Sequence, residues 1–322
     1  MSTVIPFTRE ASAHYGDSQN ISPLVRRVLA ENPSPFTYLG SGTYIIGSGE
    51  VAVIDPGPDD STHIDAILQA LAPGEQITHI FITHHHLDHA GGVDELHART
   101  GAPSHGFGWT APSSQVKVPL FHFGDPEVDG IDPRSTADES NESRFKSVHP
   151  DVTLAHGDIV QIGDMTLEAV YTPGHASDHL CYAFAQERLL FTGDHVMGWS
   201  TSVIPLPDGD LTAYMASLNL LLNRDEVWYL PTHGPAVTEP RSLVEALLAH
   251  RQERSLQILD VLREGPMNVI EIVPRIYGDV SKTLWRPAAA SVWAHVVALA
   301  ASGDVAPTEG ELTSTSLVFR CK

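Results

Sequence analysis

One hexapeptide constrains this chain more than anything else in it. His84-His85-His86-Leu87-Asp88-His89 follows directly from the apolar, β-branched run Ile77–Thr83 and leads into Ala90-Gly91-Gly92. The run predicts a strand, and the residues from Gly92 to Thr100 a helix. In an extended segment side chains two residues apart point to the same side, so His84 and His86 can share one metal ion. Asp88 and His89 fall where the chain turns into the helix, offset enough to serve a neighbouring ion. Four imidazoles and a carboxylate make a donor set suited to zinc, iron or manganese. A solvated His-rich turn would carry the same residues, but it would not predict three companions. His175 in Thr172-Pro173-Gly174-His175, Asp194 in Phe191-Thr192-Gly193-Asp194 and His233 in Leu230-Pro231-Thr232-His233-Gly234 each come just after a strand-like run. Ligand types at successive strand ends are what a metal centre on a rigid scaffold needs.

The rest of the chain supplies such a scaffold. Tyr44–Ile46, Val51–Ile54, Ile77–Thr83, Met165–Tyr171, Leu180–Phe184, Leu189–Thr192 and Val227–Leu230 read as strands, and Thr62–Leu71, Gly92–Thr100 and Leu211–Leu222 as helices. Strands with interleaved helices and hairpin-like pairs predict layered α/β packing rather than a doubly wound sheet. Residues 112–150 interrupt the pattern with an irregular, acidic segment, eight acidic residues running from Asp125 to Asp151 just beyond it, which reads as a lid or a mobile insertion. After Pro240 the texture changes. Ser242–Arg263 is an amphipathic helix, Ala288–Ala301 a second, and Ser316–Arg320 a terminal strand, a set that looks like a small winged helix. The expected division is a catalytic domain over 1–240 and a mainly helical, winged-helix-like domain over 241–322.

The motif H-x-H-x-D-H, with His175, Asp194 and His233 behind it, resembles the metallo-β-lactamase-fold hydrolases, whose fold is an αββα sandwich. Thr192–Ser202, Asp208-Gly209-Asp210 and the helical tail are similar to the lactamase-beta-2-type subfamily. The resemblance implies two divalent ions, zinc first, with iron or manganese as alternatives. It implies that His84, His86 and His175 hold one ion, that Asp88, His89 and His233 hold the other, and that Asp194 bridges them. A shared hydroxide would then attack the substrate, with Asp88 orienting it. Three kinds of relative fit poorly. β-Lactamases of this fold use a Cys in the second metal site or lack the bridging carboxylate, whereas Asp194 stands in that region and neither Cys181 nor Cys321 fits. Cleavage-factor nucleases insert a large domain ahead of the last metal His, and the interval from Asp194 to His233 has no room for one. Diiron oxygen reductases carry an acid where this chain has His86.

Neighbouring residues have plainer readings. His85 lies between ligands and is expected to point away. His195 follows the bridging Asp194 and is a candidate proton donor to a leaving group, or else a hydrogen-bonding support for the ligands. His179 and Asp55 read as supports of the ligand loops. Trp199 and Met197 read as packing residues that could line the pocket, and Cys181 as a core residue.

Charge narrows the substrate. The 40 acidic and 19 basic residues give a net charge of −21, and all of the excess lies in residues 1–240. That body repels polyphosphate at long range. The best basic group, Arg241, Arg251, Arg254 and Arg263, reads as a solvated helix face, so no basic track leads to the metals. A small ester, thioester or lactone is the expected substrate. Single-strand endoribonuclease action is the alternative, since the subfamily includes a ribonuclease, and a non-catalytic metal-binding protein is the third reading. The balanced charge of the tail argues against DNA. The chain shows neither a stretch apolar enough for a membrane nor a signal-like start, so a cytoplasmic address is expected.

Overall fold

Alternation within two adjacent strands decides where the layers meet. Tyr44, Ile46, Ala52 and Ile54 point into one core, while Ile45, Val51 and Val53 point into another. A strand with apolar residues on both faces must be covered on both. The computed structural model of the chain describes residues 3–9, 13–110, 121–124, 128, 147–308 and 318–322. Its first sheet runs in chain order through β1 (Ser18–Asn20), β2 (Val25–Leu29), β3 (Gly42–Ser48), β4 (Glu50–Ile54), β5 (Gln76–Phe81), β6 (Ser104–Gly106) and β7 (Val152–Thr153). The first four strands pair antiparallel and the last four parallel. Helix α1 (Ser61–Gln69) makes the crossover from β4 to β5, and α2 (Leu87–Ala90) and α3 (Val93–Thr100) that from β5 to β6.

The second sheet has the order β12-β11-β10-β9-β8, built from β8 (Ile159–Ile162), β9 (Met165–Tyr171), β10 (Leu180–Phe184), β11 (Leu189–Gly193) and β12 (Trp228–Pro231). The inner faces of the two sheets share a core of Tyr44, Phe81, Leu167, Tyr182, Phe191 and their neighbours. Helices α1 and α3 cover the first sheet through Ile64, Ile67 and Leu96. Helices α4 (Leu211–Leu221) and α5 (Pro240–Arg263) cover the second through Tyr214, Leu218, Leu243 and Leu247. The architecture is the layered α/β packing that the pattern predicts, in the αββα form that the resemblance implies. Cys181 is buried in the outer core of the second sheet.

Helix α5 belongs to two cores. Leu243, Val244, Leu247 and Leu248 pack on the second sheet, and Ile258 and Leu262 on α6 (Val269–Ile276) and α7 (Trp285–Ser302). The strands β13 (Val305–Pro307) and β14 (Phe319–Cys321) pair antiparallel beside α7 and complete a winged helix. The expected boundary at residue 240 therefore falls at the start of a helix that both parts use. The solvated face expected for its arginines holds for Arg241 and Arg263, whose side chains are 66% and 64% exposed. It fails for Arg251, which is buried because this stretch of α5 is covered by the segment after β11 and by α4.

Of the irregular insertion, Phe121 and Phe123 lie against Trp293 and Trp285 of the winged helix, with ring centroids 6.5 and 5.6 Å apart. The acidic stretch read as a lid lies outside the described residues, apart from Val128 and the segment from Ser147. No helix among the described residues is long and apolar enough to cross a membrane.

The shared core gives a stability prediction. Phe191 is 1% exposed and meets Tyr44 edge-on at 5.0 Å between centroids. Phe191→Ala should cost about 3–5 kcal/mol. Urea unfolding should show this as a lower midpoint with an unchanged slope.

Candidate metal centre

Five strand ends meet at one edge of the sandwich. The first sheet contributes Asp55 after β4 and Thr83 to His89 after β5; the second contributes Thr172 to His175 after β9, Asp194 after β11, and Thr232 and His233 after β12. Two glycines make the approach possible. A Cβ on Gly174 would lie 2.3 Å from Tyr214 Cα, and one on Gly193 would lie 2.7 Å from His179 Nε2. Both also have positive φ, +141° and +48°.

The structure brings all seven predicted ligands together. His86 Nδ1 lies 2.9 Å from His84 Nε2 and 3.1 Å from His175 Nε2, so three ring nitrogens converge on one point. Beside it, Asp88 Oδ2 lies 3.1 Å from His233 Nε2 and 3.6 Å from His89 Nε2. Asp194 stands between the groups. Its Oδ1 is 3.5 Å from His89 Nε2 and 3.4 Å from His233 Nε2, and its Oδ2 is 3.6 Å from His175 Nε2.

The donor set fits cations on a direct observation. His89 Nε2, His233 Nε2 and Asp194 Oδ1 are shielded from solvent and have no hydrogen-bond partner. A buried polar atom left so costs about 1–3 kcal/mol. The outer ring nitrogens fix the tautomers that aim these atoms inward. His89 Nδ1–H donates to Asp55 Oδ2 at 2.8 Å, His175 Nδ1–H to Val203 O at 2.6 Å and His233 Nδ1–H to Gly40 O at 3.1 Å. Thr83 Oγ1 donates to Asp55 Oδ2 at 2.8 Å, which leaves it to accept from His84 Nδ1 at 3.0 Å. Each Nε2 lone pair then faces the centre.

Electrostatics divides the site in two. Burial, helped by neighbouring imidazoles, holds His84 and His86 well below the usual histidine range, so that side is neutral. His175 is also lowered, mainly by burial. Burial pushes Asp88 and Asp194 up, but the neighbouring His89 and His233 outweigh it and keep both carboxylates ionised. Burial likewise opposes protonation of His89 and His233, yet the carboxylates raise both. A bound cation would take the place of those protons.

Asp55 holds the ligand loops, as expected. Besides His89 and Thr83 Oγ1 it accepts from Thr83 N and from Thr232 Oγ1, each at 2.8 Å. His179 also supports the site: its Nε2 accepts from Asp194 N at 3.3 Å while Nδ1–H donates to Thr172 Oγ1 at 3.0 Å. His85 points away, stacked on Trp109 at 3.8 Å with its Nδ1–H donating to Asp178 Oδ1 at 2.8 Å. Asp208 lies near this pair, and its oxygens accept from Trp109 Nε1 and Ser177 N.

His195 is not brought into the site. Its ring is fully buried against Tyr214 and His179, and burial pushes its pKa down to about 3. A ring so held is neutral near pH 7 and away from solvent, which does not suit proton donation. Met197 is buried, and Trp199 stacks on Tyr38 at 4.8 Å. Sequence reasoning missed Thr83 as a support, although the dipeptide Thr-His occurs at two ligand positions, Thr83-His84 and Thr232-His233. Gly40 and Val203 act through backbone carbonyls, which leave no signal in the sequence.

Asp55→Asn should weaken zinc binding by about 10–100-fold, because an amide cannot accept at both ends. Competition against a chromogenic chelator measures this directly, and wild-type affinity in the variant would remove Asp55 from the account.

Comparison with known proteins agrees with this geometry. The family model of the metallo-beta-lactamase superfamily matches residues 38–233, and that of the beta-lactamase associated winged helix domain matches residues 269–311. The chain is 31% identical over 285 residues to an atrochrysone carboxyl ACP thioesterase of Aspergillus chevalieri, covering 84% of this chain and 80% of that protein. It is 31% identical over 287 residues to a beta-lactamase-like protein 2 homolog of Drosophila melanogaster, covering 87% and 89%. The crystal structure of a beta-lactamase domain protein from Burkholderia ambifaria shares the fold, with a TM-score of 0.73 at 19% identity over 99% of this chain and 97% of that one. With its ligand residues gathered at the sandwich edge, the chain belongs to the metallo-beta-lactamase superfamily and is a metal-dependent hydrolase with an associated winged helix domain.

Proposed function

We propose that this hydrolase carries a dinuclear centre and cleaves a small thioester, with esters and lactones as related substrates. The observation that carries the dinuclear reading is Asp194, which turns one oxygen toward His89 and His233 and the other toward His175. His84, His86 and His175 would hold one ion, and Asp88, His89 and His233 the other. Two divalent cations, zinc in the first instance, supply Lewis acidity that lowers the pKa of water and offsets charge on an acyl oxygen.

The chain's own residues do the rest. Asp88 is the more open of the two carboxylates, with 27% of its side chain exposed against 12% for Asp194. Its oxygen can therefore accept a hydrogen bond from an attacking water and orient it. Protonation of the leaving group is where the substrate class enters. With His195 turned into the core, a leaving group that departs without a proton fits best. A thiolate, with a pKa of about 8.5, does so far more readily than an alkoxide or an amide nitrogen. The thioesterase named among the relatives supports the same class.

The charge distribution supports a small substrate over RNA. Arg251 is buried, Arg254 lies over the Tyr277 ring at 4.2 Å, and Arg241 and Arg263 stand at opposite ends of α5. Such a scatter does not form the continuous groove that single strands need.

Two measurements test this. Wild type should hold about two zinc ions per chain, and Asp194→Ala should lose at least one of them with nearly all activity; elemental analysis showing full metal content in that variant would sink the bridging role. Against a panel of thioesters, esters, lactones and single-stranded RNA, thioesters should react fastest. Their turnover should change little between about 50 and 200 mM salt, whereas a phosphate-contacting enzyme would slow steeply. Efficient, salt-sensitive RNA cleavage that is lost in His86→Ala would make the protein a nuclease instead.

A further inference from the structure

We infer that Arg251 is a positioning residue for the bridging carboxylate, so that the helix shared with the winged helix domain sets the geometry of the metal centre. This rests on the reading of Asp194 as the bridging ligand. Arg251 comes from the middle of α5 and is 5% exposed. Its Nη2 donates to Ser202 O. Ser202 in turn donates from Oγ to Asp194 O at 2.6 Å. The same guanidinium lies 5.4 Å from the Tyr214 ring centroid, and Tyr214 OH donates to His195 O at 3.1 Å. The successive carbonyls of Asp194 and His195 are thus each held by a hydroxyl whose residue touches Arg251.

The arrangement reaches a second ligand as well. The carbonyl that follows Ser202 O in the chain is Val203 O, the acceptor for His175 Nδ1–H. One guanidinium therefore restrains the segment that orients both His175 and Asp194. The Asp194 carboxylate needs such restraint. It follows Gly193, whose φ is +48°, and its own N–H donates to His179 Nε2 over a long 3.3 Å. Where the main chain drifts, the carboxylate drifts with it.

Arg251 is an expensive way to fill that space. No carboxylate pairs with it among the described residues; it meets the Ser202 carbonyl and the Tyr214 side chain. Burying a guanidinium without a counter-ion costs stability that an apolar residue of similar volume would not. What the guanidinium adds is a rigid planar fork that addresses two directions at once, which neither Met nor Lys reproduces.

The test uses the full-length, zinc-loaded protein with Arg251→Met, Arg251→Lys, Ser202→Ala, Tyr214→Phe and the double variant Arg251→Met/Ser202→Ala. Zinc affinity is read by chelator competition, and thermal unfolding of the metal-free chains is recorded alongside. Arg251→Met should raise the zinc dissociation constant by about 10–100-fold. Arg251→Lys should recover part of the loss, and the double variant should be no worse than Arg251→Met alone, because the two residues act in one chain of contacts. Wild-type affinity in Arg251→Met, or a double variant whose losses multiply, would overturn the inference. Should Arg251→Met not fold, Ser202→Ala and Tyr214→Phe decide, and wild-type zinc affinity in both would overturn it equally. A variant that melts lower without zinc but binds zinc normally would show a merely structural role. Fewer than two zinc ions in wild type would overturn the dinuclear reading, while the affinity ratios among the variants would still judge Arg251.

Discussion

A single buried carboxylate ties the two sheets to one another at the metal centre. Asp55 ends β4 of the first sheet, and its oxygens accept from Thr83 beyond β5, from His89 on α2, and from Thr232 beyond β12 of the second sheet. Remove that charge and four donors, from one connection of each sheet, lose their common acceptor. The residue adopts φ of +50°, a conformation an Asp tolerates better than most residues but still at a cost of about 1–3 kcal/mol. The strain stands at the point where both sheets must present ligands to one place. Asp55 also pins Thr43, whose hydroxyl donates to its backbone carbonyl at 2.6 Å, so the support extends back into β3.

The candidate ligands that the structure gathers were legible in the sequence because each lies beyond a strand end, and strand ends are where apolar alternation stops. The strands Met165–Tyr171 and Leu180–Phe184 are found where the alternation predicts them. β2 was not legible. Its sequence Val25-Arg26-Arg27-Val28-Leu29 puts two arginines in a strand core. Arg27 is tolerated there only because its guanidinium reaches Thr232 O and lies over the Tyr44 ring, contacts that no local pattern encodes. His195 shows the opposite failure. Adjacency to Asp194 suggests a shared site, yet successive side chains at a strand end diverge, and this one turns into the core beside Tyr214. The carbonyls of Gly40, Ser202 and Val203 were illegible for a simpler reason, since any residue could supply them.

Helix α5 illustrates how an amphipathic pattern hides a function. The leucine spacing predicts a helix with one apolar stripe, and that is correct for Leu243 and Leu247. It leaves the remaining face to be assigned to solvent by default. A helix that serves two cores has less free face than one that serves a single core, and Arg251 occupies the part that a second layer covers. Sequence periodicity reports how a helix meets its first neighbour. It says little about the second.

Several basic residues of the C-terminal part are engaged by contacts within the chain. Arg251 addresses a carbonyl in the catalytic part, Arg254 covers the Tyr277 ring, and Arg275 pairs with Glu264 at 2.7 Å. A winged helix that reads nucleic acid needs its cations outward and aligned, because counterion release supplies most of the affinity. Here Arg251 and Arg254 are turned to contacts within the chain, while Arg241, Arg263 and Arg275 are exposed but each pairs with a carboxylate, in a protein whose remaining body is strongly acidic. What such a domain can contribute to the reaction runs through what it packs against. Phe121 and Phe123 bring the insertion onto Trp293 and Trp285, and Arg251 holds the segment after β11, so the domain meets both segments that flank the candidate metal ligand His175. One packed surface thus gives a charge-neutral tail a route to a site it does not enter.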